Sequence, residues 1–139
     1  MSEMASRPDV SGDAEKQAAK KNRILIVEDH APTRLAMSRL LRQVGADVVT
    51  ARDGEEGLGY LLTQRFDILL TDLRMPVMDG FELLHHCLKL PESHRPRRIV
   101  AISGEYEAGA LRGQPVQFMA KPIDINATMV PWLSATTAT

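Results

Sequence analysis

"LLTDLRMPVMDGFELL", residues 69–84, decides the fold. An apolar run with the character of an interior strand stops at Asp72, passes through a Pro- and Gly-containing turn, and resumes as apolar residues at helical spacing. A carboxylate at the end of a buried strand is costly unless something pairs with it or reacts with it. Outward from this stretch the alternation continues in both directions. "RILIVED" (23–29) is a short apolar run, rich in β-branched residues, that ends in acids. "PTRLAMSRLLRQVG" (32–45) reads as a helix, with Pro32 at its start, apolar residues at Met37, Leu40, Leu41 and Val44, and Gly45 as its stop. "DVVTA" (47–51) is a second strand, and Asp53 caps a helix whose apolar stripe is Leu58, Leu61 and Leu62.

"FDILLTD" (66–72) is the third strand and "GFELLHHCLKL" (80–90) the third helix, with Phe81, Leu84 and Leu88 on one face. "RIVAIS" (98–103) gives a fourth strand, followed by a weak helix near 105–112, a strand "VQFMA" (116–120) and a last helix near 124–134. Five strands alternating with helices predict an α/β domain, a doubly wound five-stranded parallel sheet covered on both faces. Continuous apolar strands agree, because an internal parallel strand is buried on both sides.

In such sheets ligands bind beyond the carboxyl ends of the strands. Strand 1 ends in Glu28-Asp29, strand 3 in Asp72 and strand 4 in Ser103, while strand 5 runs into Lys121. Carboxylates brought together repel one another, and a divalent cation relieves that repulsion. Oxygen donors without His or Cys suit Mg²⁺, with Mn²⁺ as the alternative. A Lys and a Ser hydroxyl facing the same spot supply charge and hydrogen bonds for a phosphoryl group.

Composition sets the outer bounds. The chain has 139 residues, enough for one domain, with 44% hydrophobic and 25% charged residues and a net charge of −1. Nothing global draws it to nucleic acid or to a membrane surface. The basic clusters Lys20-Lys21-Asn22-Arg23 and Arg95-Pro96-Arg97-Arg98 read as solvated strand flanks. Cys87 is the one cysteine, which points to a reducing compartment, and no stretch approaches a membrane span, so the expected location is cytoplasmic. Residues 1–22 read as a flexible tail or linker without a secretory signal, residues 23–134 as the domain, and residues 135–139 as a frayed end.

"ILIVED", "LLTDLRMPVMDGFELL", "VAISG" and "FMAKPI", in this order and near these intervals, resemble the receiver domain of two-component response regulators. The resemblance covers residues 23–134 and implies the flavodoxin-like strand order 2-1-3-4-5. It implies that Asp72 accepts a phosphoryl group from a phosphohistidine on a sensor kinase or phosphotransfer protein. Asp29, Asp72 and the backbone carbonyl of Arg74 would hold Mg²⁺, with Glu28 acting through water. Lys121 would pair with a phosphoryl oxygen, and Pro122 suggests a cis bond after Lys121. Ser103 would be the switch hydroxyl, and Phe118 stands where the family has a rotating aromatic, although plain core packing accounts better for a Phe, which lacks a hydroxyl. Arg74 and Glu105 fall at positions that tune phosphate lifetime in the family. His30 reads as a loop residue near the site, "HHC" (85–87) is not a chelate, and Cys87 and Trp132 read as packing.

The sequence departs from the family between Ser103 and Lys121. That interval is 18 positions, about one helical turn short, and holds Gly104, Gly109, Gly113 and Pro115. A shortened fourth helix is expected, and Pro131 interrupts the last one. Both argue against dimerisation through the face of helix 4, strand 5 and helix 5. Two main readings stand: a phosphoacceptor receiver, free or excised from a hybrid histidine kinase, and a non-phosphorylated receiver-like docking module. In neither is the chain an enzyme acting on other substrates. A dehalogenase-like phosphatase would need a second Asp where Arg74 stands, and a flavodoxin would need a hydroxyl-rich loop where the strand 1 acids stand.

Overall fold

The computed structural model describes residues 21–104, 113–121 and Asp124. The expectations for the fourth and last helices, Glu105, Pro122, Pro131, Trp132 and both termini apart from Lys21 and Asn22 lie outside those residues. In chain order the elements are β1 (Arg23–Val27), α1 (Ala31–Gln43), β2 (Asp47–Ala51), α2 (Gly54–Thr63), β3 (Ile68–Asp72), α3 (Gly80–Leu88), a 3₁₀ turn (Glu92–His94), β4 (Arg98–Ser103) and β5 (Gln117–Ala120).

The strands form one sheet in the order β2-β1-β3-β4-β5, and every pairing is parallel. Period-two alternation sends neighbouring residues to opposite faces. Ile24, Ile26, Leu70 and Val100 meet Met37 and Leu41 of α1 on one side. Leu25, Val27 and Leu69 meet Leu61 of α2 and Leu83 and Cys87 of α3 on the other. The β3 strand is buried at every position, as the centre of a two-sided sheet must be.

Local chemistry starts and stops the helices. Asp53 accepts from the Glu56 amide at 2.9 Å, and Asp79 does the same for Glu82 at 2.9 Å. Gly45, at φ +96°, takes the left-handed position that ends α1.

Three details correct the sequence reading. Leu62 is 62% exposed and Val44 is exposed, so neither belongs to its helix's buried stripe. The α2 helix docks instead through Gly54, Gly57 and Leu61, its backbone lying so close to β1 that a Cβ at Gly57 would meet Val27 at 2.8 Å. In α3 the buried set is Gly80, Leu83, Leu84 and Cys87, with Phe81 and Leu88 flanking it. Finally, the basic clusters are not simply solvated: Asn22 is buried and Arg23 is part of the packing at the lower edge of the sheet.

Candidate functional site

Because all five strands run the same way, their carboxyl ends share one edge, and the polar residues gather there. Asp72 closes β3 between β1 and β4 and is 5% exposed. Its Oδ1 accepts from the Arg74 amide at 3.1 Å, while the Leu73 amide donates to the Ile102 carbonyl at 3.0 Å and carries the pairing one step further. Glu28 follows β1 directly and its amide donates to the Ala51 carbonyl at 3.1 Å. That extra rung pulls Glu28 inward to 2% exposure, whereas Asp29 next to it is exposed. Lys121 is set by its own amide, which donates to the Ser103 carbonyl at 2.9 Å.

The side chains converge. Lys121 Nζ lies 2.7 Å from Asp72 Oδ2 and 3.5 Å from Glu28 Oε1. Carboxylate oxygens of Glu28, Asp29 and Asp72 all fall within 4.8 Å of one another. They border an open basin of about 660 Å³ that His30, Arg74, Ser103 and Gly104 also line. Ser103 is fully buried at its floor. Phe118 is half-buried and packs into the core on the α2–α3 side of the sheet.

One residue of this frame has no counterpart in the sequence reading. Arg34 Nη1 donates to the Glu28 carbonyl at 2.8 Å, holding the β1–α1 turn. The signal was available: a cation in the first turn of a helix opposes the helix dipole, and α1 has no acid there to offset it. His30 lines the basin as a loop residue, its amide donating to Glu28 Oε2 at 3.1 Å and its Nδ1 sharing a hydrogen with Thr33 at 2.6 Å. Val77, in the turn after Asp72, holds φ +69° while 74% exposed, a strained conformation for a β-branched residue.

Charge at this edge is unbalanced: Glu28, Asp29 and Asp72 cluster together, and Lys121 pairs with two of them. Burial pushes the Glu28 carboxyl above its ordinary 4.5, and the nearby Asp72 charge adds to that, against the His30 amide and Lys121. Burial alone would lower Lys121, but its hydrogen bond to Asp72 and the charges of Asp72 and Glu28 outweigh it and raise it above 10.5. For Glu28 the folded state holds the proton more tightly than the unfolded state. Its contribution to stability is therefore complete below about pH 4.5 and is lost as pH rises through its folded pKa. Glu28→Gln should accordingly raise the thermal midpoint of the metal-free protein at pH 7.5 and leave it unchanged at pH 4. Melting curves at the two pH values check this; an equal gain at both would assign the effect to packing.

A hard, oxygen-only donor set with an excess of negative charge fits Mg²⁺. Glu28, Asp29 and Asp72 each offer a carboxylate oxygen to such an ion. Among the described residues no helix is long and apolar enough to cross a membrane.

Comparison with known proteins agrees with this geometry. The family model described as "Response regulator receiver domain" matches residues 24–130. Sensor protein EvgS of Escherichia coli (strain K12) is 47% identical over 64 residues, 46% of this chain and only 5% of that protein's length. Among solved structures, the receiver domain of the hybrid histidine kinase CckA is 33% identical with a TM-score of 0.66, covering 83% of this chain and 98% of that one. The receiver domain of the sensor histidine kinase PA1611 from Pseudomonas aeruginosa PAO1, whose active-site cleft coordinates a magnesium ion, is 28% identical with a TM-score of 0.67, covering 86% and 99%. The matched span runs from Ile24 in β1 through β5 and includes Glu28, Asp29 and Asp72. This chain belongs to the response regulator receiver domain family, the phosphoacceptor modules of two-component systems.

Proposed function

We propose that Asp72 is the phosphoacceptor of this receiver and that Glu28, Asp29 and Lys121 are its immediate machinery. The supporting observation is the clustering of three carboxylates, two of which pair with one ammonium, Lys121 Nζ lying 2.7 Å from Asp72 Oδ2. A carboxylate oxygen of Asp72 attacks the phosphorus of a phosphohistidine. The P–N bond breaks, its electron pair stays on the imidazole, which takes a proton from solvent, and an acyl phosphate remains on Asp72.

Carboxylates are weak nucleophiles, so position and charge carry the rate. The Arg74 amide fixes one oxygen of Asp72 and leaves the other facing Lys121. As the phosphoryl group arrives, Lys121 transfers its hydrogen bond from Asp72 to a phosphoryl oxygen. Asp29, Asp72 and the Arg74 carbonyl would hold Mg²⁺, with Glu28 acting through water, and Mn²⁺ satisfies the same donors. When bound, the ion supplies the positive charge that the three acids lack.

Ser103, buried at the floor of the basin, is the hydroxyl drawn toward the phosphate. Arg74 at the rim and Glu105 tune its lifetime. Phe118 follows as packing, since a phenyl ring has no hydroxyl to exchange between partners. The partners are a cytoplasmic histidine kinase or phosphotransfer protein and a downstream protein. The chain catalyses no reaction beyond its own phosphorylation and dephosphorylation. The docking-module reading has against it the complete acid cluster and the Lys121 pair, for which a passive module has no use.

Incubation with Mg²⁺ and acetyl phosphate, followed by intact-mass measurement, tests the proposal. One phosphoryl group is expected, and none after chelation of the metal. No gain, together with no binding of Mg²⁺–beryllium fluoride by the folded protein, would establish the docking module instead.

A further inference from the structure

At the opposite end of the sheet, the two basic clusters separated in sequence are brought together. The amino-terminal edges of β1, β3 and β4 adjoin, so Lys21 and Arg23 meet Arg65, Arg95 and Arg97 around a pocket of about 370 Å³. Asp67 and Asp72 are five residues apart on extended chain, which puts this pocket about 16 Å from the acidic basin. Asp67 is the one carboxylate among its lining residues.

The cations differ in how far they are satisfied. Arg23 is fully engaged: Nε pairs with Asp47 at 3.1 Å, Nη1 donates to the Arg65 carbonyl, Nη2 to Gln64, and the guanidinium lies 4.9 Å from the Phe66 ring centre. Arg97 donates to Asn22 Oδ1 at 3.0 Å and stands 3.9 Å from Asp67. Those bonds tie the clusters into one frame. Lys21, Arg65 and Arg95, by contrast, have no carboxylate partner among the described residues. The Arg65 guanidinium contacts the His94 ring nitrogen at 3.5 Å, and Arg95 Nε is buried without a hydrogen-bond partner.

A chain of net charge −1 thus concentrates three uncompensated cations in one concavity. Arginine forks match the oxygens of carboxylate and phosphate alike, but a carboxylate brings one negative charge where a phosphate ester or polyphosphate brings two or more. The volume is that of a small-molecule site. We infer that this pocket binds a small, multiply charged phosphate anion, held by Arg65, Arg95 and Lys21 on a frame built by Arg23 and Arg97. The inference does not depend on the role of Asp72.

Titration of the metal-free, isotopically labelled full chain with sodium tripolyphosphate, followed by backbone amide NMR, is the test. Saturable shifts are expected at Arg23, Arg65, Asp67 and His94 and not at Glu28 or Asp72. Arg65→Glu should weaken binding at least about tenfold, while Arg52→Glu, an exposed charge paired with Glu56 elsewhere, should change it less than about twofold. Adenosine triphosphate in a parallel titration separates the sources: tighter binding than tripolyphosphate assigns a nucleotide, equal binding an inorganic phosphate. Equal losses in both variants would show diffuse charge attraction and overturn the pocket. So would preferential binding of a hexaglutamate peptide, which would make this face a protein-docking surface.

Discussion

Asp72→Asn should incorporate no phosphoryl group under conditions where the wild type becomes fully modified. The amide keeps the shape of the side chain, and its oxygen can still accept from the Arg74 amide as Asp72 Oδ1 does at 3.1 Å. It loses the nucleophilic charge, however, so the attack on phosphorus has no electron pair of comparable strength to use. The fold should survive. The substitution removes a charged hydrogen bond from Lys121 but also removes repulsion against Glu28 and Asp29, and Lys121 already lies 3.5 Å from Glu28. With Lys121 partly exposed to water, these effects nearly cancel, and the stability change should be under about 1 kcal/mol. Intact mass and a melting curve on the same sample separate chemistry from folding. A variant that gains phosphate as fast as the wild type would place the acceptor elsewhere.

The second large effect concerns Gly80 and has no charge in it. A Cβ there would sit 2.2 Å from the Asp72 carbonyl oxygen and 2.7 Å from Leu73 Cα. Both are backbone atoms of the strand end, fixed by the bonds from Leu73 to Ile102 and from Gly80 to Leu73. No side chain can swing aside, so either α3 withdraws or the end of β3 shifts. Gly80→Ala should cost about 3 kcal/mol and lower the thermal midpoint by about 10 °C. Phosphorylation should slow as well, because Asp72 moves with its carbonyl. A midpoint within about 2 °C of wild type would mean that the α3 start adjusts freely.

Much of this was legible before any coordinates, for a physical reason. A parallel sheet buried on both faces needs uninterrupted apolar strands, so the few polar residues at strand ends stand out, and Glu28, Asp29, Asp72, Ser103 and Lys121 are such residues. The helix faces were harder. Leu62 sits in an apolar pattern yet faces solvent, because glycines let α2 approach the sheet by its backbone and a stripe of side chains no longer marks the buried side; Val44 faces solvent because α1 ends at Gln43 and leaves it as the cap. Leu83 was missed for a related reason: Gly80, which opens the buried row of α3, carries no side chain to mark it. Arg34 was overlooked because its partner is a carbonyl, and backbone acceptors leave no trace in composition. That the two basic clusters meet was not legible because they are far apart in sequence; Arg97 and Asn22, which bond directly, are separated by 75 positions.

The strand order has one more consequence, which concerns time rather than geometry. With β1 and β3 at the centre and β5 at the far edge, the acids of the basin are synthesised well before the lysine that offsets them. A chain emerging from its amino terminus carries Glu28, Asp29 and Asp72 for some fifty residues of synthesis before Lys121 exists to join them. Lys121 follows β5, which pairs with β4, so the last strand among the described residues is also the one that brings the ammonium to the acids. A half-made sheet therefore carries the three acids without their lysine, and the contact that partly offsets their charge forms only once β5 has joined β4.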